Sequence, residues 1–162
     1  QPAGGTRDGG ADRPVARHRP QGGGGAGRLG SAGAAAGVGN LAIHPGDVRD
    51  LFDVLPDASI AKAFLNYPDP WPKARHHRRR FVTQNHLLPL ARVMIPGAEF
   101  RVATDIDDYV RQTLEEVPPA GFDLISQTGQ GQAWKDWLST RYEQKALREE
   151  RDPHYLTFRR RP

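Results

Sequence analysis

A single carboxylate, Asp69, stands between two prolines and directly before a dense run of basic side chains. Each proline fixes its own φ and biases the preceding residue toward extended geometry, so the backbone around Asp69 should be stiff and non-helical. A rigid acid beside a cationic surface suits a polyanionic ligand that also presents hydrogen-bond donors. Nucleic-acid bases on a phosphate backbone have both properties, so this segment predicts nucleic-acid recognition.

The positive charge of the chain is concentrated in this segment. The basic residues after Asp69 carry more positive charge than the net +4 of the whole chain, and they are Lys73, Arg75, Arg78, Arg79 and Arg80. A local basic patch is the usual footprint of phosphate binding, although a solvated charged face is the commoner origin of a charge run. The position of the patch next to Asp69 favours phosphate binding.

The composition excludes several kinds of site. The chain of 162 residues has room for one modest domain, and it contains no cysteine, which rules out disulfides, thiolate zinc sites and cysteine nucleophiles. His76 and His77 are adjacent and point in different directions on a helix or a strand, so we expect no metal site. No apolar run is long enough to span a bilayer, and we expect no membrane partner and a cytoplasmic location.

Residues 1–39 hold most of the glycines and show neither helical nor strand periodicity. We predict a low-complexity, disordered segment over 1–39 and a folded domain over 40–162. A glycine-rich phosphate loop is the alternative, but it needs a preceding apolar strand and a following helix. The abrupt change in composition also prompts the hypothesis that this segment is translated in the wrong reading frame or that the gene is truncated.

From Asn40 onward, short apolar runs alternate with amphipathic stretches, which predicts an α/β fold. The predicted strands are 41–43, 60–66, 98–103, 122–126 and 155–159, the last two antiparallel. The predicted helices are 47–55, capped by Asp47, then 79–93 and 107–116. Ligands of open α/β sheets bind at the carboxyl ends of strands, where this pattern places Asp69 and Asp105.

Three separated motifs carry a family resemblance. The run Pro68-Asp69-Pro70-Trp71-Pro72-Lys73, followed by His76-His77-Arg78-Arg79-Arg80, closely resembles that of the bacterial tRNA (guanine-N7)-methyltransferases. Pro96-Gly97 before Ala103-Thr104-Asp105, and then Thr140-Arg141-Tyr142-Glu143, which is similar to the family's Thr-Lys-Phe-Glu, follow in the family's order. The resemblance covers roughly residues 40–160. It implies a Rossmann-like S-adenosylmethionine-dependent methyltransferase fold, incomplete here at the N-terminus, where the donor-binding glycine loop and acidic residue are missing.

The resemblance also implies an activity and roles for individual residues. The family transfers a methyl group from S-adenosylmethionine to N7 of guanine 46 in the tRNA variable loop. Asp69 would be the active-site carboxylate, close to the methyl donor and the guanine, and Asp47 would contact the donor's adenine end. The expected RNA contacts are Lys73, Asp105, Thr140, Arg141, Tyr142 and Glu143, with phosphate contacts from Arg75, Arg78, Arg79 and Arg80.

Several alternatives stay open at this point. On chemical grounds alone, either Asp69 or Asp105 could accept hydrogen bonds from guanine N1–H and N2–H₂ and so orient N7. Trp71 could stack on a base or form a buried platform beside the prolines. The chain could also be a noncatalytic RNA-binding module or an inactive fragment of the family. The sequence leaves tRNA specificity and oligomeric state undecided.

Overall fold

The computed structural model describes residue 37 and residues 39–162. The predictions for residues 1–36 and 38, including disorder and the phosphate-loop alternative, lie outside the described residues. The chain divides into two compact units, 1–47 and 48–162, and each is described here by itself. In the first unit, residues 41–45 form neither a helix nor a strand, so the predicted strand 41–43 is wrong.

The second unit is a four-stranded mixed sheet with helices between its strands. Its helices are α1 (Arg49–Phe52), α2 (Gln84–Val93), α3 (Asp107–Glu116) and α4 (Arg141–Arg148), with 3-10 helices at Ala74–Arg79 and Pro118–Ala120. Its strands are β1 (Ile60–Asn66), β2 (Met94–Thr104), β3 (Phe122–Thr128) and β4 (His154–Arg160). Their spatial order is β1-β2-β4-β3. Strands β1 and β2 run parallel, and β4 is antiparallel to both β2 and β3, so the α/β class and the antiparallel closing strands are confirmed.

The boundaries of three elements differ from the prediction. Helix α1 is a single turn whose N-cap is Val48, so the predicted cap at Asp47 and continuation to residue 55 are wrong. Helix α2 begins only at Gln84, since residues 74–79 form a separate 3-10 helix. Strand β2 begins at Met94, because Gly97 with φ 83° allows a bulge where the pairing shifts from Ile60↔Met94 to Lys62↔Glu99.

The two faces of the sheet are covered differently. The main core lies on the face that packs against α2 and α3, and the rings of Phe100, Phe122 and Phe158 lie at its centre. On the other face, the indole N–H of Trp134 donates to Thr157 Oγ1 at 2.8 Å. The ring of Trp134 also packs edge-on against Tyr155 at 5.4 Å. The main core therefore lies on one face of the sheet, and the contacts of Trp134 lie on the other.

Within the part of the chain that the structure describes, no helix is both long and apolar enough to cross a membrane.

Candidate functional site

Asp69 lies exposed in the loop that directly follows β1. Two residues on either side of it, Tyr67 and Trp71 have φ of 47° and 40°, in the left-handed region that aromatic residues rarely adopt. Each such conformation costs roughly 1–3 kcal/mol and persists only where surrounding contacts enforce it. The backbone N–H of Tyr67 donates to Ala103 O at 2.8 Å, which ties the start of the loop to β2. The loop is therefore held in a strained shape around an exposed carboxylate.

Asp105 leaves the sheet at the same edge as Asp69. Strands β1 and β2 are parallel and Asn66 lies opposite Ala103, so the loops after both strands emerge side by side. Arg151 Nε donates to Asp105 Oδ2 at 2.6 Å, and the Asp105 side chain is only 12% exposed. Hydrogen bonds to Asp105 and Glu149 raise the pKa of Arg151. The structure thus places the two aspartates in neighbouring loops, at the carboxyl ends of β1 and β2.

The segment Thr140–Glu143 forms the start of helix α4. Thr140 is the N-cap, and its Oγ1 accepts a hydrogen bond from the backbone N–H of Glu143 at 3.1 Å. The Glu143 side chain is buried and accepts hydrogen bonds from Tyr155 OH and from Trp137 Nε1, the latter at 3.0 Å. Arg141 and Tyr142 are exposed, with the Arg141 guanidinium over the Tyr142 ring at 5.8 Å. Two of the four predicted contact residues therefore face solvent and two build the helix start.

The pKa of the Tyr67 phenol is raised. Burial raises the pKa of the Tyr67 phenol, and the negative charges of Glu143 and then Asp105 raise it further. The Tyr67 hydroxyl is buried and makes no hydrogen bond within the part of the chain that the structure describes. The predicted site residues do not include Tyr67, although its position directly before Pro68 indicates a restricted, non-helical backbone.

The basic segment after Asp69 is mostly exposed. It forms the 3-10 helix Ala74–Arg79, and its solvent-facing cations are Lys73, Arg75, Arg78 and Arg79. The guanidinium of Arg79 lies over the Trp71 ring at 5.0 Å, and His76 meets the same ring edge-on at 5.9 Å. Trp71 is half-buried between them, and stacking of its ring on a base stays a prediction.

Arg80 departs from the prediction of a phosphate contact. Its side chain is 1% exposed, and Nη1 lies 2.8 Å from Asp108 Oδ2. Its Nε donates to the carbonyl of Pro70 at 2.8 Å. A guanidinium enclosed by the protein in this way has no face left for an RNA phosphate. We correct the assignment: Arg80 is an internal residue that holds the loop of Asp69.

Asp47 belongs to the first unit and is exposed. Its backbone oxygen accepts a hydrogen bond from His44 Nε2 at 3.0 Å. The proposed role of Asp47 in donor binding concerns its carboxylate and stays a prediction.

Two further observations concern metal binding and cavities. Among residues 37 and 39–162, no cluster of three or more His, Cys, Asp or Glu side chains could hold a metal ion. One cavity of about 540 Å³ lies between α1 and α2, and its lining residues are Arg49, Phe52, Asp53, Asn85, Leu88, Pro89 and Arg92. None of the predicted site residues lines that cavity.

Comparison with known proteins places the chain among methyltransferases. Residues 25–156 match a family model described as "Putative methyltransferase". A curated tRNA (guanine-N(7)-)-methyltransferase of Cereibacter sphaeroides is 80% identical over 126 residues, which are 78% of this chain and 52% of that protein. The protein of the same name from Rhodospirillum rubrum is 45% identical over 131 residues, 78% of this chain and 51% of that protein. The chain therefore spans about half the length of the curated relatives it matches.

Solved structures agree on the fold. The cyclase SpnF superposes with a TM-score of 0.56 at 13% identity, covering 84% of this chain and 63% of that one. A SAM-dependent O-methyltransferase from Thermotoga maritima superposes with a TM-score of 0.50 at 14% identity, covering 85% of this chain and 46% of that one. At such low identity these likenesses concern the fold alone, and they confirm the Rossmann-like methyltransferase architecture.

Proposed function

The chain belongs to this methyltransferase family, and from that premise we propose that it carries the guanine- and RNA-binding part of a tRNA (guanine-N7)-methyltransferase. The full reaction would transfer a methyl group from S-adenosylmethionine to N7 of guanine 46 in the tRNA variable loop. The names of the relatives support this choice of substrate.

One observation carries the proposal: an exposed aspartate and a basic helix share one loop at the carboxyl end of β1. Asp69 supplies the carboxylate, and the solvent-facing cations follow within a few residues. Asp105 joins them at the same edge of the sheet, because β2 runs parallel to β1. An acceptor for base N–H groups thus lies directly beside donors for phosphate, which is the combination that guanine within RNA requires.

Methylation at N7 depends mainly on how the protein positions the guanine. Guanine N7 already carries an in-plane lone pair, so the site needs no strong base to make it a nucleophile. The Asp69 carboxylate can accept hydrogen bonds from guanine N1–H and N2–H₂, which would orient N7. Its negative charge also suits a base that becomes cationic when N7 is alkylated. We therefore assign Asp69 as the catalytic residue and Asp105 as a second contact to the RNA.

S-adenosylmethionine would supply the electrophilic methyl group. Its sulfonium is cationic and its adenine carries an amino group, so carboxylates are suitable partners for both ends. The exposed carboxylate of Asp69 fits the first requirement, and we propose Asp47 as the contact for the adenine end. Among the described residues, no glycine-rich turn directly connects a strand to a helix.

The remaining proposed contacts concern RNA. We propose that Lys73, Arg75, Arg78 and Arg79 bind phosphates, since all four are exposed on one short helical segment. At the start of α4, Arg141 and Tyr142 are exposed and available to RNA, while Thr140 and Glu143 fix the backbone that presents them. With tRNA as the substrate, we expect the protein to work in the cytoplasm.

The alternative is a noncatalytic RNA-binding module. Isothermal titration with S-adenosylmethionine and with tRNA separates the two proposals. Micromolar binding of S-adenosylmethionine supports the enzyme, whereas its absence together with retained tRNA binding supports the module.

The decisive experiment is a methyl-transfer assay with the unmodified chain. Radiolabelled S-adenosylmethionine and tRNA are incubated with the protein, and 7-methylguanosine is measured after nuclease digestion. Formation of 7-methylguanosine supports the enzyme. A tRNA in which guanosine 46 is replaced by adenosine is the matched control. Equal methylation of the two tRNAs would contradict the proposed target.

A further inference from the structure

The buried guanidinium of Arg80 connects two segments that are far apart in sequence. On one side it contacts the loop that contains Asp69, and on the other it contacts helix α3. The side chain is 1% exposed, and its Cζ lies 5.2 Å from the centre of the Tyr109 ring. A buried arginine is stable only when its donors are satisfied, so each of these contacts is part of one arrangement.

On the loop side, Arg80 holds backbone carbonyls rather than side chains. Its Nε donates to Pro70 O at 2.8 Å, and Nη2 lies 3.5 Å from Trp71 O. These carbonyls flank Trp71, whose φ of 40° is unfavourable for an aromatic residue. Arg80 is therefore placed to stabilise the strained turn that follows Asp69.

On the helix side, two residues of α3 fix Arg80 in turn. Nη1 donates to Gln112 Oε1 at 3.0 Å and pairs with Asp108 Oδ2 at 2.8 Å. The amide of Gln112 also donates to Val82 O at 3.0 Å, which ties the chain just after Arg80 to the same helix. Helix α3 begins two residues after Asp105, so Arg80 joins the loop of Asp69 to the element that follows Asp105.

We propose that Arg80 is a positioning residue that keeps the loop of Asp69 in register with Asp105. This inference rests on the proposed function, in which both carboxylates contact the guanine-bearing RNA. Arg80 touches neither the base nor a phosphate; it acts through the carbonyls of Pro70 and Trp71. Without the Arg80 guanidinium, the Asp69 side chain would still be present, but the loop could lose the orientation that guanine binding requires.

A guanidinium is needed for this role. Arginine presents five N–H donors in a rigid planar fork, which can serve two carbonyls, a carboxylate and an amide oxygen at once. Lysine carries the same charge on a single point and cannot reach partners on both sides. Because lysine does bind phosphates, the substitution Arg80→Lys would largely preserve a phosphate contact while removing the connection between loop and helix.

The first arm of the test does not depend on activity. The three tryptophans are labelled as 5-fluorotryptophan, and the fluorine resonance of Trp71 is assigned from its loss in Trp71→Phe. We expect Arg80→Lys to shift or broaden the Trp71 resonance and leave those of Trp134 and Trp137 unchanged. The charge-preserving control Arg75→Lys should leave all three in place. An unmoved Trp71 resonance in Arg80→Lys would overturn the inference.

The second arm measures kinetics with tRNA. We expect Arg80→Lys to lower kcat about tenfold to a hundredfold, in line with the effect of misplaced catalytic groups, while the tRNA dissociation constant changes less than about threefold. Unchanged kcat would contradict the positioning role. If the unmodified chain neither binds tRNA nor transfers methyl groups, the proposed function fails. The fluorine spectra then decide alone whether Arg80 holds the loop.

A milder variant covers the possibility that Arg80→Lys does not fold. Asp108→Asn keeps the shape of the partner and removes its charge, so Arg80 loses its ion pair but keeps Gln112 and the loop carbonyls. We expect the same change in the Trp71 resonance with a smaller amplitude. A folded Asp108→Asn protein with an unmoved Trp71 resonance would contradict the inference.

Discussion

The hydroxyl of Tyr155 donates a hydrogen bond to the buried carboxylate of Glu143, which joins strand β4 to the first turn of helix α4. The indole N–H of Trp137 donates to the same carboxylate at 3.0 Å. A buried carboxylate without donors is costly, so these contacts fix Glu143 in place. They also fix the helix start that presents Arg141 and Tyr142.

Replacing the Tyr155 hydroxyl should therefore destabilise the protein. The substitution Tyr155→Phe removes only the donor and leaves the Glu143 carboxylate with a lost partner. We expect the free energy of unfolding, measured by urea denaturation, to fall by about 1–3 kcal/mol. The control Tyr142→Phe removes a hydroxyl from an exposed residue of the same segment and should change it by less than about 0.5 kcal/mol. Equal effects of the two substitutions would contradict the role given to Tyr155.

Thr140 should stabilise the protein as the N-cap of helix α4. Its Oγ1 accepts the backbone N–H of Glu143 at 3.1 Å, so Thr140→Val keeps the shape of the side chain and leaves that N–H unpaired. We expect a loss of about 1 kcal/mol in the free energy of unfolding. Thr140→Ser keeps the hydroxyl and should recover most of it. If serine were no better than valine, the hydroxyl would not be the stabilising group.

How well the sequence predicts an element depends on whether local signals decide it. Strand β1 and helix α3 have the predicted bounds, because clear periodicity lies between turn residues in both cases. Helix α2 begins later than its apolar spacing indicates, since Arg80 is held in extended backbone by partners distant in sequence. Tertiary contacts override local propensity there, and a single sequence does not show them.

The same distinction applies to the site. The positions of Asp69 and Asp105 after neighbouring strands could be predicted, because the carboxyl end of a strand is a local feature of the sequence. The contact of Glu143 with Tyr155 could not, because it depends on β4 lying between β2 and β3. In the sequence, Arg80 is one more cation in a basic run. Its burial in the structure distinguishes it from the exposed Arg79.

The pairing of Asp108 predicts a dependence of stability on pH. Hydrogen bonds from Arg111 and then from Arg80 hold the pKa of Asp108 below its ordinary value. An aspartate in the unfolded chain has a pKa of about 3.9, so this stabilisation is present above about pH 4 and is lost as the pH falls through the lower folded value. Asp108→Asn should melt below the unmodified protein near neutral pH, with a gap that narrows toward about pH 3. Circular dichroism melting across this range provides the measurement, and a constant gap would contradict it.

The exposed arginines should set the salt dependence of RNA binding. If Arg75 binds a phosphate, Arg75→Gln should reduce the slope of log K against log salt concentration by about 0.7–0.9. Arg159→Gln is the charge-matched control, because Arg159 is exposed on β4 at the opposite end of the sheet. Fluorescence anisotropy with labelled tRNA at several salt concentrations gives both slopes. Equal changes would indicate a general charge effect rather than a phosphate contact at Arg75.

Replacing Asp69 should lower methyl-transfer activity without lowering the stability of the fold. Its side chain is exposed, so Asp69→Asn should leave the melting temperature within about 2 °C of the unmodified protein. The amide replaces one acceptor oxygen by a donor group and removes the negative charge, which would misorient guanine and leave its new positive charge unopposed. We therefore expect 7-methylguanosine formation to fall about a hundredfold or more. Asp57→Asn, an exposed aspartate before the amino end of β1, should retain activity, and an active Asp69→Asn protein would move the catalytic role to another carboxylate, with Asp105 the next to replace.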